Sequence, residues 1–330
     1  MVARALRTDR SIEVVGAAAD PYEAREKILE LKPDVLTLDV EMPRMDGISF
    51  LKILMKHHPV PVVIVSTFTQ AGSEKAYEAL EAGAIEVLGK PTNPAEAQDF
   101  ESQLLQKVRS AAAARLRQSP MDRNHTMQQL VDTKMDRRQV ILLGASTGGT
   151  EALKEILIRL PDGLPPICIV QHIPAYISKQ FADRLNEVCA MEVREAQDGD
   201  FLQSGLALVA PGGYHMTLRR SMGSYQVKLD QNPPVNYQRP AVDVLFDSAV
   251  SSVGRHAIAA LLTGMGKDGA SGMLKLKETG AMTLAQDEES CVVFGMPRAA
   301  IELGAVRRVL PLGDMAGAIL HCLQKQEVAT

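Results

Sequence analysis

Cysteine is scarce in this 330-residue chain, and the four present do not cluster. Cys168, Cys189, Cys291 and Cys322 form no C-x-x-C pair. That spacing argues against a zinc site and a disulfide framework and for a reducing cytoplasm, with all four read as small buried hydrophobes. No apolar run reaches the ~18 residues of a membrane-crossing helix, so no membrane insertion is expected. The opening MVARALRTDRSIEVV has neither the apolar stretch nor the cleavage site of a secretory signal. No long basic run occurs and the net charge is −4, so no electrostatic footprint for nucleic acid exists. Internal repeats are absent, and the alanine run at 111–114 is the nearest thing to low complexity. What remains is ordinary globular composition, 46% hydrophobic, in a chain long enough for two cores.

Two ordered blocks flank one weak segment. In residues 10–110 the runs Ile12–Ala17, Val35–Leu38, Val62–Val65 and Ile85–Leu88 are rich in β-branched residues without polar alternation. Such runs suit strands buried on both faces. Helix-like stretches, Pro21–Leu31, Gly47–His58 and Ser73–Ala82, lie between them, giving a βαβ rhythm and a parallel sheet. The pattern decays over residues 110–138, which reads as a linker. From Gln139 it resumes: QVILLGAS is a strand, TGGTEALKEILIRL a helix, PPICIVQH a strand and Ala175–Cys189 a helix. Ala207–Ala210, Tyr225–Leu229, Ala257–Thr263 and Met282–Ala285 read as further strands, and Leu312–Gln324 as a closing helix. Both blocks are α/β: a parallel-sheet domain at 1–109, flavodoxin-like by the resemblance given below, and a doubly wound, mostly parallel domain at 139–330.

Gly144-Ala145-Ser146-Thr147-Gly148-Gly149 joins a strand to a helix. A serine there stands above the sheet, with backbone N–H groups and a helix N-terminus behind it. Alone, this turn suits a helix-capping serine or a phosphate-binding loop equally well. His172 ends the next strand at the same carboxyl edge, where ligands collect in open α/β sheets, and so is a candidate general base. Asp268, in the glycine-rich LTGMGKDG, supplies a carboxylate to orient the imidazole; by itself it is an ordinary turn aspartate. The order Ser, His, Asp differs from that of α/β-hydrolases, where the acid precedes the histidine. Arg239, in a polar loop, suits contact with an acidic partner helix or plain solvation. Met296 and Pro297 are expected to shape the rim, and His215 and His256 to be structural.

In the first block Asp39, Ser66 and Lys90 end three successive strands at one sheet edge. That set suits an aspartyl phosphate, with Asp39 attacking, Lys90 pairing with phosphoryl oxygens and Ser66 sensing them.

The motifs GASTGGTEAL, VQHIP, RPAVDVLFDS, LTGMGKDGASGM and CVVFGMPRAAIELG together closely resemble the catalytic domain of the chemotaxis response-regulator protein-glutamate methylesterases, over about residues 139–325. LDVEMPRMDG with the Lys90-Pro91 pair resembles a receiver domain, over about residues 10–108. The resemblance implies Ser146 as nucleophile, His172 as base and Asp268 as orienting acid, with oxyanion-holding backbone N–H groups near Thr147 and Met265. It implies removal of glutamyl methyl esters from chemoreceptors, deamidation of receptor glutamines, and phosphorylation of Asp39 by a chemotaxis histidine kinase. No cofactor is implied for catalysis, and Mg²⁺ is implied for phosphorylation. Receivers open with an apolar strand ending in two acidic residues that hold Mg²⁺. Neither is found before Ile12, leaving Asp39 and a carbonyl near Glu41 as metal ligands. The flavodoxin-like domain is therefore expected to lack its first strand, at a cost of several kcal/mol, and to be phosphorylated inefficiently. A natural start about 17 residues earlier would restore it.

Two other readings stand beside this one. In the first the chain is an unregulated or non-enzymatic signalling variant. In the second it is a nucleotide-binding oxidoreductase, but GASTGG departs from G-x-G-x-x-G and the next strand ends in His172 rather than an acid.

Overall fold

The structure, a computed structural model, describes residues 1–67, 70–93, 97–116, 136 and 138–325. The chain divides into two compact units, Met1–Arg117 and Gln118–Thr330. Most of the expected linker lies outside the described residues.

The first unit holds a three-stranded parallel sheet in the order β1 (Leu36–Leu38), β2 (Val62–Ser66), β3 (Glu86–Gly89). Helices α1 (Val2–Leu6), α2 (Pro21–Leu31), α3 (Gly47–His57), α4 (Gln70–Glu81) and α5 (Ala97–Ala112) accompany it. Strand β2 is buried throughout, as a run without polar alternation requires. Asp20 and Asp46 cap α2 and α3, each accepting two backbone N–H bonds in the first turn. Ile12–Ala17 forms no strand, against expectation. A strand there needs a neighbour between itself and β1 to complete its ladder, and no such neighbour is among the described residues. The segment instead runs exposed or half-buried.

The second unit is built on a seven-stranded parallel sheet, β12-β11-β10-β4-β5-β7-β6. Its strands are β4 (Val140–Ala145), β5 (Ile167–Gln171), β6 (Glu192–Glu195), β7 (Leu206–Val209), β10 (Ala257–Leu261), β11 (Met282–Gln286) and β12 (Arg308–Leu310). An antiparallel hairpin, β8 (His215–Ser221) with β9 (Ser224–Asp230), stands apart from it. The helices are α6 (Gly149–Leu157), α7 (Ala175–Val188), α8 (Val242–Ser252), α9 (Ala270–Glu278), α10 (Met296–Glu302) and α11 (Leu312–Lys325). Strands β4, β5 and β10 are wholly buried. From β4 the chain moves to β5 on one side, and β10 returns on the other side. The carboxyl ends of β4 and its two neighbours thus flank a topological switch point, where an open sheet leaves a crevice.

Glycine lets α8 approach that edge. A Cβ on Gly144 would lie 2.4 Å from Val242 Cγ1, and one on Gly269 would lie 2.7 Å from the same atom. Without side chains there, the first turn of α8 settles against β4 and the loop after β10. Three of the four thiols are buried, as expected; Cys189 is half-buried. Burial pushes the Cys168 thiol up to about 12, consistent with an inert core residue.

Candidate active site

Ser146 follows β4 directly. Its N–H donates to Thr263 O at 3.0 Å, and its carbonyl accepts from Gly149 N at 2.7 Å and from Gln171 Nε2 at 2.8 Å. The backbone is therefore held from β10, from the start of α6 and from β5. Gly148 turns the chain at φ +75°, a conformation that glycine adopts without strain. Thr263 Oγ1 reaches across to Thr147 O at 2.9 Å, tying this turn to the next strand end.

His172 continues the β5 ladder through its N–H to Ala145 O at 3.1 Å. Its Nε2 lies 2.7 Å from Asp268 Oδ2, with the two side chains only 6% and 3% exposed. The imidazole Nδ1 is buried and has no hydrogen-bond partner among the described residues. Among the described residues no hydrogen bond joins the Ser146 hydroxyl to the ring. The structure thus unites His172 with Asp268 and sets Ser146 on the neighbouring strand end.

Asp268 is anchored more heavily than a turn aspartate needs to be. Oδ2 also accepts from Val242 N at 2.6 Å, while Oδ1 accepts from Asp243 N, Gly269 N and Asn236 Nδ2, each at 3.1 Å. Ala241, the residue before α8, provides no side-chain cap, so Asp268 serves as the anionic cap of that helix. Burial pushes its carboxyl upward. The His172 bond and charge and the α8 N–H groups outweigh burial, holding it below the usual carboxylate range.

Three neighbours gave no signal as site residues. Gln171 Nε2 bonds the Ser146 and His172 carbonyls together, at 2.8 and 3.2 Å. Asp243 accepts from Gly272 N at 2.7 Å and from Asn236 Nδ2 at 2.9 Å. Burial, then the nearby Asp268 charge, raises the Asp243 carboxyl. Asn236 spans both carboxylates. Asp243 and Gln171 fall inside recognisable motifs; Asn236 lies in a loop with no marker of its role.

Met265 follows Gly264, whose Cα faces the serine: a Cβ there would stand 2.6 Å from Ser146 Cβ and 2.4 Å from Met296 Sδ. Gly264→Ala is expected to displace Ser146 and lower kcat about 10–100-fold with KM little changed, in a chain that still folds. Steady-state methanol release beside a melting curve checks this. Met296 and Pro297 are buried at the start of α10, where Met296 Sδ packs against Gly264 beside Ser146. Arg239 Nη1 donates to Gln231 O and Asn232 O, bracing its own loop. His215 is buried between Pro233 O and Ala241 N, and His256 Nδ1 lies 3.3 Å from Asp136 Oδ2; both are structural, as expected.

In the first unit Lys90 Nζ pairs with Asp39 Oδ2. Ser66 is buried, and its carbonyl accepts from Lys90 N at 2.8 Å. Glu41 N donates to Asp39 Oδ1 at 3.3 Å. A Cβ on Gly47 would strike Asp39 O at 2.1 Å, so this loop closes only over glycine. Among the described residues no three His, Cys, Asp or Glu side chains gather to hold a metal ion. The groups around Asp39 do not by themselves make a Mg²⁺ site.

The fold and site define a two-unit α/β protein with a Ser-His-Asp cluster at a sheet switch point and an Asp-Ser-Lys set at a second sheet edge. Residues 141–319 match the CheB methylesterase family, and residues 1–100 match the response regulator receiver domain. The chain belongs to the CheB methylesterase family. It is 48% identical to protein-glutamate methylesterase/protein-glutamine glutaminase 2 of Syntrophus aciditrophicus, over 94% of this chain and 91% of that protein. It is 46% identical to the protein-glutamate methylesterase/protein-glutamine glutaminase of Syntrophotalea carbinolica, over 99% and 95%. Its fold matches the crystal structure of the Thermotoga maritima CheB methylesterase catalytic domain with a TM-score of 0.55 and 39% identity, covering 56% of this chain and 98% of that one. These likenesses give no support to a non-enzymatic variant. No helix among the described residues is long and apolar enough to cross a membrane.

Proposed function

We propose that the chain hydrolyses methyl esters of glutamyl side chains on chemoreceptors and deamidates receptor glutamines. Residues 1–109 form its regulatory domain, 110–138 a linker and 139–330 the catalytic domain. The observation that carries the chemistry is the buried His172–Asp268 pair beside Ser146, with one ring nitrogen committed to the carboxylate and the other unpartnered among the described residues.

With Nε2–H donated to Asp268, Nδ1 carries the lone pair and takes the proton from the Ser146 hydroxyl. The serine oxygen attacks the glutamyl carbonyl. Backbone N–H groups near Thr147 and Met265, at the open edge, hold the oxyanion. His172 returns the proton to the departing methanol, and water then cleaves the acyl-enzyme by the same route, leaving glutamate. With a glutamine substrate, ammonia leaves instead. No cofactor enters these steps. Asp268 stabilises the imidazolium throughout, and its depressed carboxyl keeps it ionised at neutral pH.

Asp39 is the phosphorylation site, with Lys90 and Ser66 reading the phosphoryl group and a chemotaxis histidine kinase as donor. Phosphorylation shifts the population toward the active form. The protein works in the cytoplasm, where receptor methylation sites and kinase meet.

Incubating the full chain with a methylated receptor cytoplasmic fragment tests both halves. Methanol release is expected from this chain, and where a receiver's first strand and acidic pair are supplied ahead of Met1 a small-molecule phosphodonor is expected to raise it several-fold, an effect that Asp39→Asn abolishes. No methanol release in either condition overturns the catalytic half; release indifferent to phosphodonor in the chain that carries the acidic pair overturns the regulatory half.

A further inference from the structure

Between β9 and α8 the backbone reverses at Val235–Gln238. Val235 and Gln238 exchange N–H···O=C bonds of 3.0 and 2.9 Å, and the two residues between them, Asn236 and Tyr237, take φ of +52° and +64°. Two consecutive left-handed residues closed by a bonded pair make a type I′ hairpin turn. Asparagine tolerates this conformation; tyrosine does so with strain. The strain is not offset by packing, because Tyr237 is 93% exposed. What holds the turn is Asn236, whose amide points inward. Its Nδ2 donates 2.9 Å to Asp243 Oδ2 and 3.1 Å to Asp268 Oδ1. Below it, Arg239 bonds the Gln231 and Asn232 carbonyls and steadies the loop's base.

We infer that Asn236 is a positioning residue for the hydrolase, its one amide group spacing two buried carboxylates so that Asp268 keeps its orientation toward His172. This rests on the esterase reading above and adds to it. Asp268 accepts five hydrogen bonds: three come from α8 and loop N–H groups, one from His172, and the fifth from Asn236. Among the described residues Asn236 is thus the side chain, other than the base itself, that fixes the acid. It also places partial positive charge between two like charges whose backbone attachments are shared: Asp243 N donates to Asp268 Oδ1, and Asp268 and Asp243 flank Gly269–Gly272. Burial followed by the Asp268 charge raises the Asp243 carboxyl, in keeping with two acids that face one another. Removing the amide exposes Asp268 to Asp243 without a spacer and makes the field at His172 more negative.

Asn236→Gly isolates this role, since glycine keeps the turn conformation and deletes only the amide. Tyr237→Gly changes the other turn residue and serves as the control. Steady-state methanol release from a methylated receptor fragment is measured with the whole two-unit chain, with Ser146→Ala alongside. Asn236→Gly is expected to lower kcat about tenfold with KM within twofold. Tyr237→Gly is expected to leave both unchanged. In an Asp243→Asn background, where the opposing charge is gone, Asn236→Gly is expected to cost less, a coupling that loss of loop packing would not produce. If Asn236→Gly matches the wild type in kcat, or if its effect is the same with and without Asp243, the positioning role is overturned while the esterase reading stands. If Ser146→Ala is as active as the wild type, the esterase reading itself has failed.

Discussion

Ser146→Ala is expected to reduce methanol release by about 10⁴-fold or more in kcat while leaving the fold and receptor binding intact. The reasoning starts from what the hydroxyl does for stability, which is little. The residue is held by its backbone, through Thr263 O, Gly149 N and the Gln171 amide. Alanine keeps all three bonds, and deleting one oxygen from a half-buried site changes stability by less than about 1 kcal/mol. The melting curve should therefore superimpose on that of the wild type. The oxygen is, however, the atom that forms the acyl-enzyme. Without it His172 and Asp268 have no nucleophile to activate, and only the oxyanion donors and substrate positioning remain. Members of such a unit are strongly non-additive, so His172→Ala added to Ser146→Ala should cost almost nothing further. A fluorophosphonate should label the wild type stoichiometrically and Ser146→Ala not at all. A variant that keeps more than about one hundredth of wild-type turnover would remove Ser146 from the mechanism.

Strand ends were the readable part of this site. An apolar run without alternation marks a buried parallel strand, and the polar residue that ends it must lie at the carboxyl edge. Ser146 and His172 can be placed in this way, as can Asp39, Ser66 and Lys90. Asp268 needed the glycine-rich loop after β10 as well. The β-ladder then does the rest, since Ala145 pairs with Gln171 and Gly144 with Leu261. The pattern failed where burial is partial or partners are remote. Strand β12 is an edge strand, exposed at Arg308 and Val309, and so carries no apolar run. Strand β8 turns into β9 through Met222-Gly223, both at positive φ, with two arginines in its outer half. Helix α8 carries a signal inside the RPAVDVLFDS motif, with Val242, Leu245, Phe246 and Ala249 at helical spacing and all fully buried. Ile12–Ala17 has the composition of a strand, and composition cannot supply the neighbour that a strand requires. Asn236 was illegible for a similar reason. Its amide reaches Asp243 and Asp268 only because a two-residue turn without glycine takes left-handed geometry, and VNYQ does not announce that.

Asp268→Asn should do double damage, in rate and in stability, because one carboxylate performs two tasks. As the partner of His172 it fixes the tautomer: an ionised acceptor on Nε2 forces the proton there and leaves Nδ1 as the base. An amide can present Nδ2 to the ring instead, which moves the ring proton to Nδ1 and leaves no lone pair for Ser146. If the amide turns the other way, its NH₂ meets the N–H groups of Asp243 and Gly269 and the amide of Asn236. Either orientation sets donors against donors, and kcat should fall about 10³–10⁴-fold. As the anionic cap of α8 the carboxylate also satisfies Val242 N and Asp243 N, which have no other cap. Leaving buried donors unpaired costs about 1–3 kcal/mol, which chemical denaturation would read as a lower midpoint at neutral pH. The pH dependence has a definite sign. The native carboxyl is depressed, so its contribution is present in full above the unfolded value of about 3.9 and is lost as pH falls through the native value. The stability gap between wild type and Asp268→Asn should therefore be flat near neutrality and narrow below about pH 4. A gap that stays constant down to pH 3 would mean that the charge of Asp268, as opposed to its shape, contributes nothing to holding α8 against the catalytic edge.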